Sequence, residues 1–460
     1  MRVDAHQEQR DMAGHCSIVP HPTIPRILVV AEGERWTLPR HETEDAQAIR
    51  DLMRQRYELA VTVLGAYAGH YTDVEHDEPA FVFALETHGG SGPLPNGSRW
   101  IGADDVPDIA LADNEQGAAL ERWFAEAETG AIPAERAPWE RPGWFAEATE
   151  WIDQQLERLG WQGTGPYVQL HARGWSSVLR LPTTGGNIYF KAVTQPFAFE
   201  PPLTALLAEL LPAESPRVLA VDRDRRWLLM ADAGEPIRAQ IREIRNPQPY
   251  QDMLVAFARF QLALLPHTPR LESSAIPDRR LEALPALFAD VMRDSDGLLV
   301  GRPGGLSTDD YAHLQAMDVA DLASRLASYG IPETLVQEDC HPGHWIAGTN
   351  GAIFFDWGDT CLGHPFQSLM MALRWARLVL GYDAATLDGL RDAYLSQWSA
   401  YGSLERLREA YQLAWRLTPL TRALDWCRLV ASQEPSVRWQ YEDAAPYWLS
   451  LFLHGEDKDG

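Results

Sequence analysis

A chain of 460 residues exceeds one ordinary domain, and its 45% hydrophobic and 23% charged residues are ordinary globular composition, which excludes a disordered or membrane-embedded chain. Against 40 basic residues stand 65 acidic ones, a net charge of -25 that is expected to repel nucleic acid and anionic membranes and to favour a cationic substrate. Cys16, Cys340, Cys361 and Cys427 have no paired spacing, so reduced thiols and a cytoplasmic location are expected.

Residues 1–20 are polar and carry no apolar run of signal-peptide length, so a frayed tail is expected there. A small α/β unit follows over 21–128. Strands at 27–30 and 35–39 flank a turn at Gly33, and a helix over 43–56 has Thr43 as its cap and Ala46, Ile49, Leu52 and Met53 at helical spacing. Strands over 58–71 and 79–87, a loop over 89–97 and a helix over 114–128 complete it. Strand, helix and strand with the lead-in Trp36-Thr37-Leu38-Pro39 resemble a Nudix domain, in which an Arg-Glu-x-x-Glu-Glu helix holds a metal against a diphosphate. Arg54 and Gln55 stand where the paired glutamates would be, so the resemblance implies a degenerate module with a structural or recruiting role.

Pro133, Pro138 and Pro142 make 129–143 a stiff connector, and 144–159 reads as an amphipathic helix with Phe145, Ile152, Leu156 and Leu159 along one side. Over 168–193 three strands alternate, with a turn at Arg173-Gly174-Trp175-Ser176-Ser177 after the first and Lys191 on the third. Glu200 opens a helix that carries Leu203, Leu206 and Leu207, and Glu209 lies further along it. An apolar strand over 226–230 then runs out through Met230, Ala231, Asp232 and Gly234. Beyond Ile237 the spacing is helical, over 250–265, 279–292, 307–329, 365–380, 385–401, 404–416, 418–434 and 444–453.

Only one stretch interrupts these helices. After Leu335 and Val336 comes the polar run Gln337-Glu338-Asp339-Cys340-His341-Pro342-Gly343-His344, where Pro342-Gly343 forbids a continuing helix or central strand and puts Asp339 on a loop. The apolar segments at 345–347 and 352–355, with a tight turn over 348–351, read as a hairpin that would return Asp356 to the neighbourhood of Asp339. Cys340-His341-x-x-His344 offers no fourth ligand for a structural zinc site.

A loop aspartate, a polar residue five positions on and a second aspartate after a hairpin form the layout of phosphoryl transfer. The stretch resembles the aminoglycoside phosphotransferase and choline kinase-like family, whose pattern is His-Gly-Asp, then Gly-Asn, an apolar strand and Asp-Trp-Gly or Asp-Trp-Glu. Asp339, Pro342-Gly343 and Asp356-Trp357-Gly358-Asp359 match it, while Gln337, Glu338 and His344 replace its His, Gly and metal-binding Asn. The resemblance covers 144–460. It implies an α+β, bilobal protein kinase-like fold, with a β-rich small lobe and hinge over 144–238 and a helical large lobe over 239–460, preceded by the Nudix-like domain. It further implies Asp339 as the base, Asp356 and His344 as metal ligands, Lys191 with Glu200, or alternatively Glu209, as the phosphate clamp, and Met230, Ala231, Asp232 and Gly234 as the base-binding hinge. ATP or GTP with Mg or Mn is the implied cofactor, and a hydroxyl of a small molecule the acceptor. The competing reading is a pseudokinase that binds a nucleotide or metabolite without turnover.

Overall fold

Two units emerge from the way the chain packs in the computed structural model, which describes residues 14–71, 79–89, 92–108, 114–244, 246–348 and 351–455. The first holds the chain up to Gln195, together with Asp224–Leu229 and Gln433–Arg438. The second holds Pro196–Arg223, Met230–Ser432 and the chain from Trp439 on.

In the first unit His15–Ile18 is a buried strand between Arg40–His41, which it pairs antiparallel, and Pro79–His88, which it pairs parallel; Ala60–Tyr71 completes the four-stranded sheet. The frayed tail expected over 1–20 therefore does not hold from His15 on, and residues 1–13 lie outside the described residues. Cys16 and Ile18 pack with Ile27, Val29, Leu64, Val82 and Phe124. The polar His15 can join them because its Nδ1 accepts from the Phe81 amide at 3.1 Å and its ring stacks on Phe81. A three-stranded antiparallel sheet, Arg35–Thr37, Ile27–Glu32 and Ser98–Ile101, lies in the same unit. The helix is Ala46–Tyr57, and its cap is Asp45, whose carboxylate accepts from the Ala48 amide at 2.7 Å. Thr43, the expected cap, instead accepts from the Asp45 amide at 3.0 Å and so sets the turn before it.

The helix Trp144–Leu159 buries Trp144, Ala148, Trp151, Ile152 and Leu156 rather than a face through Phe145 and Leu159. Large aromatics decide the rotation: Trp144 and Trp151 pack against Phe190 and Trp227 with ring centroids 5.5 to 6.4 Å apart. Those rings stand on a sheet in which Val168–Ala172, Ser176–Thr183, Gly186–Val193 and Trp227–Ala231 are successive neighbours.

The second unit is mostly helical. Where one helix was expected over 307–329 there are two, Thr308–Gln315 and Val319–Ala327, because Asp318 caps the second by accepting from the Asp321 amide at 2.9 Å. Where two were expected over 404–434 there is one, Leu404–Ser432, with Pro419 inside it. A proline in a helix interior typically costs about 3 kcal/mol. Here Leu417, Thr418, Leu420 and Thr421 are fully buried around it, and that packing holds the helix together. Arg279, expected to open a helix, precedes the helix Leu284–Val291 in extended chain, and its amide donates to the Leu362 carbonyl at 2.8 Å. The chain is α+β, with the protein kinase-like order of a β-rich part, a helical part and a hairpin set into the helices. No helix among the described residues is long and apolar enough to cross a membrane.

Candidate functional site

Two antiparallel pairs frame the site. Thr334–Gln337 pairs with Thr360–Gly363, and Trp345–Gly348 pairs with Gly351–Phe354; residues 349 and 350 of the expected turn lie outside the described residues. The helix Pro247–Leu264 contacts both: Gln261 donates to the Leu335 carbonyl at 2.8 Å, and Phe260 packs on Phe354 at 5.3 Å and stacks on Trp357 at 5.5 Å. The hairpin returns the chain as expected, since the Phe355 amide donates to the His344 carbonyl at 3.2 Å. Asp356 then turns with φ 63, in the left-handed region that a non-glycine residue adopts only where its surroundings hold it.

Asp339, His344 and Asp356 are brought together. His344 stands between the two acids, with Nε2 3.5 Å from Asp356 Oδ2 and Nδ1 3.9 Å from Asp339 Oδ2. His341, which the sequence reading gave no role, belongs to the same cluster: its Nε2 is 3.4 Å from Asp339 Oδ2 and its ring lies 4.0 Å from that of His344. Asp339, His341 and His344 can bring one ligand atom each within 4.8 Å of one another.

The hydrogen bonds give the two imidazoles different tasks. His344 Nδ1 faces the Asp339 carbonyl at 2.9 Å, an acceptor, so Nδ1 carries the proton and Nε2 presents its lone pair toward Asp356. At His341 the Gly343 amide donates to Nδ1 at 2.9 Å, so the neutral ring carries its proton on Nε2, facing the Asp339 carboxylate. His344 Nε2 could thus serve as a ligand beside Asp356, and His341 Nε2 as a donor to Asp339. Burial pushes the Asp339 carboxyl up, but His341, then His344 and Arg422, outweigh it and hold it well below the usual carboxylate range. Burial and the neighbouring His341 push the His344 imidazole down.

The departures from the family pattern at 337 and 338 are accommodated. Gln337 donates through Nε2 to the carbonyls of Phe355 and Asp356 at 2.9 and 3.0 Å, tying the strand before Asp339 to the turn that carries Asp356. Glu338 is buried against Arg279, which also donates to Asp425 at 2.7 Å and to the Thr421 carbonyl at 2.8 Å.

Of the two glutamates left open, Glu200 reaches the site. It is buried at the start of the helix Glu200–Leu210 and accepts from the Trp357 amide at 3.2 Å, beside Asp356. Glu209 instead lies on the surface, paired with Arg270 at 3.0 Å. Residues 230–234 run out of the strand Trp227–Ala231. Asp232 accepts from the Gly234 amide at 2.9 Å, and a side chain on Gly234, whose φ is +112, would press on Ile346 of the hairpin at 3.3 Å. Lys191 is in the other unit, buried on the strand Gly186–Val193 opposite Val178.

Residues 167–411, more than half of the chain, match the phosphotransferase enzyme family. No curated protein matches. Among solved structures the chain is similar to a choline/ethanolamine kinase family protein from Mesorhizobium loti, at 17% identity over 67% of this chain and 95% of that one with a TM-score of 0.45. It is also similar to an ethanolamine kinase of Plasmodium vivax, at 10% identity over 75% and 96% with a TM-score of 0.45. A macrolide 2'-phosphotransferase from Brachybacterium faecium is similar at 14% identity over 67% and 99%, with a TM-score of 0.39.

Proposed function

We propose that this chain, which belongs to the phosphotransferase enzyme family, moves the γ-phosphate of ATP or GTP to a hydroxyl of a small molecule. The observation that carries the reading is the gathering of Asp339, His344 and Asp356 at the hairpin, with each imidazole in a defined tautomer. Asp339 is the base: His341 occupies one carboxylate oxygen and leaves Oδ1 to take the proton of the attacking hydroxyl. Its depressed pKa keeps it ionised, so it accepts the proton as the oxygen–phosphorus bond forms. Lys191 and Glu200 are each assigned to the phosphate clamp, and Met230, Ala231, Asp232 and Gly234 to the base of the nucleotide.

Asp356 and His344 fit a divalent cation. One is a hard oxygen donor and the other a neutral imidazole with Nε2 free of its proton, as coordination requires. Such an ion would supply charge neutralisation to the nucleotide phosphates. An imidazole nitrogen is a softer donor than the carbonyl of the family's asparagine and suits manganese better than magnesium. Manganese is therefore expected to support transfer better than magnesium, and His344→Asn to raise the magnesium-dependent rate. Rates with each metal in both proteins check this; a wild type fully active with magnesium and slowed by the asparagine would refute the role of His344.

Lys191→Ala is expected to weaken nucleotide binding roughly ten- to a hundredfold, the scale of a lost charge-assisted hydrogen bond, with the melting temperature as the control for folding. Calorimetry that finds the affinity unchanged would remove Lys191 from the clamp. The reading as a whole is tested by screening nucleotide-dependent phosphate transfer across amino alcohols, aminoglycosides and neutral polyols.

A further inference from the structure

The segment between the N-terminal module and the sheet is braced from three sides. Arg136 donates to Glu126 at 2.6 and 2.9 Å, and to Glu434, from the segment that follows the long helix, at 2.9 and 3.1 Å. Arg141 folds back to donate to the Arg136 and Ala134 carbonyls at 3.2 and 3.1 Å. Glu140 fills the space over Gly65, where even a Cβ would stand 2.9 Å from its carboxylate. Seven buried or half-buried residues, 133 and 136–141, would serve a plain connector poorly; a segment held this tightly transmits position.

At its centre is Trp139, only 1% exposed, whose Nε1 donates to the Arg173 carbonyl at 2.9 Å. Arg173 opens the turn between Val168–Ala172 and Ser176–Thr183, and its amide closes that turn on the Ser176 carbonyl at 2.8 Å. The next residue, Gly174, is met by a second brace: a Cβ there would lie 2.5 Å from Nε2 of Gln433, adjacent to Glu434. One end of the turn is thus bonded to the connector, and its tip rests on the segment after the long helix. All these residues belong to the first unit.

We infer that Trp139 is a positioning residue for the nucleotide: through the Arg173 carbonyl it holds the 173–177 turn in the conformation that covers the phosphates. The role of the N-terminal module is then to set nucleotide affinity, by anchoring the connector at Glu126 and Gly65. The inference rests on the proposed function: in a kinase-like small lobe the turn between the first two strands covers the nucleotide phosphates, and 173–177, between Val168–Ala172 and Ser176–Thr183, is that turn by position. A backbone turn that wanders when free loses affinity by the cost of ordering it on binding, and one hydrogen bond is the margin here.

Trp139→Phe keeps a buried ring and deletes only the donor. In the full-length protein it is expected to raise the dissociation constant for the fluorescent nucleotide mant-ATP, measured with manganese, about three- to tenfold. Gln433→Ala, which withdraws the other brace without touching Trp139, is expected to act in the same direction. Adenosine, which has no phosphates for the turn to cover, is expected to bind either variant as it binds the wild type, and exchange of amide hydrogens in 172–177 to quicken. Unchanged mant-ATP affinity in both variants overturns the inference and leaves the proposed function standing, as does an equal loss for adenosine and mant-ATP. A wild type that binds no mant-ATP overturns the nucleotide reading of the turn and this inference with it.

Discussion

Asp339→Asn is expected to lower phosphate transfer by about two to four decades while the nucleotide still binds. The substitution keeps the shape of the side chain and its place against His341, so the loop has no reason to rearrange. What it removes is the basic oxygen proposed to receive the hydroxyl proton. Asp356→Ala makes the contrast, because Asp356 faces His344 and belongs with it to the proposed metal pair, and its loss is expected to weaken metal-nucleotide binding itself. Steady-state transfer rates combined with calorimetry of nucleotide binding separate the two. Full transfer activity in either variant would sink the assignment, and so would loss of nucleotide binding in the asparagine variant with normal binding in the alanine one.

Both aspartates could be found in the sequence because the features that place them are local. Pro342-Gly343 fixes a loop, and two apolar segments around a glycine turn fix a hairpin, so residue spacing alone predicts that the acids meet. The tasks of the histidines are not local in this way. Whether His341 serves as ligand or donor depends on which nitrogen the Gly343 amide takes, a matter of loop geometry two residues on. The strand His15–Ile18 is invisible for another reason: four residues beginning with a histidine look like tail until Pro79–His88 and Arg40–His41 come to flank them. Pro419 misleads in the opposite sense, since a local breaker is overridden by buried neighbours on both sides of it.

The same distinction governs Glu338. In sequence it is a charged residue where the family pattern has glycine, and that charge beside Asp339, the proposed base, argues against activity. Its partners are Arg279, 59 positions before it, and Asp425 on the other side, which is 146 positions from that arginine. No window along the chain contains them. With the partners in place the acid is accommodated, and the fold behind the loop comes to depend on the group that accommodates it.

Arg279→Met is accordingly expected to destabilise the protein by about 3–5 kcal/mol, the usual cost of stripping one partner from a buried ionic cluster. Arg279 is 3% exposed and sits between two carboxyl groups as buried as itself. They do not share its charge equally. Burial pushes the Glu338 carboxyl well above its usual range despite Arg279, with Asp425 adding to the rise; burial also works to raise Asp425, but Arg279 and the hydrogen bond from Glu338 hold it low. These directions assign the proton to Glu338 and the negative charge, which Arg279 neutralises, to Asp425. Glu338→Gln, which preserves a donor of the same shape, is then expected to cost under about 1 kcal/mol. The pH dependence has a definite sign. A carboxyl raised in the folded state contributes stability fully below its ordinary pKa and loses it as pH rises toward the folded value, so as pH rises above the ordinary carboxyl value of 4.5 the wild type is expected to weaken more than the glutamine variant. Denaturant unfolding of the three proteins across that range measures both effects. An Arg279→Met protein as stable as wild type, or a Glu338→Gln protein as damaged as the methionine variant, would show that the proton and the charge are not divided in this way.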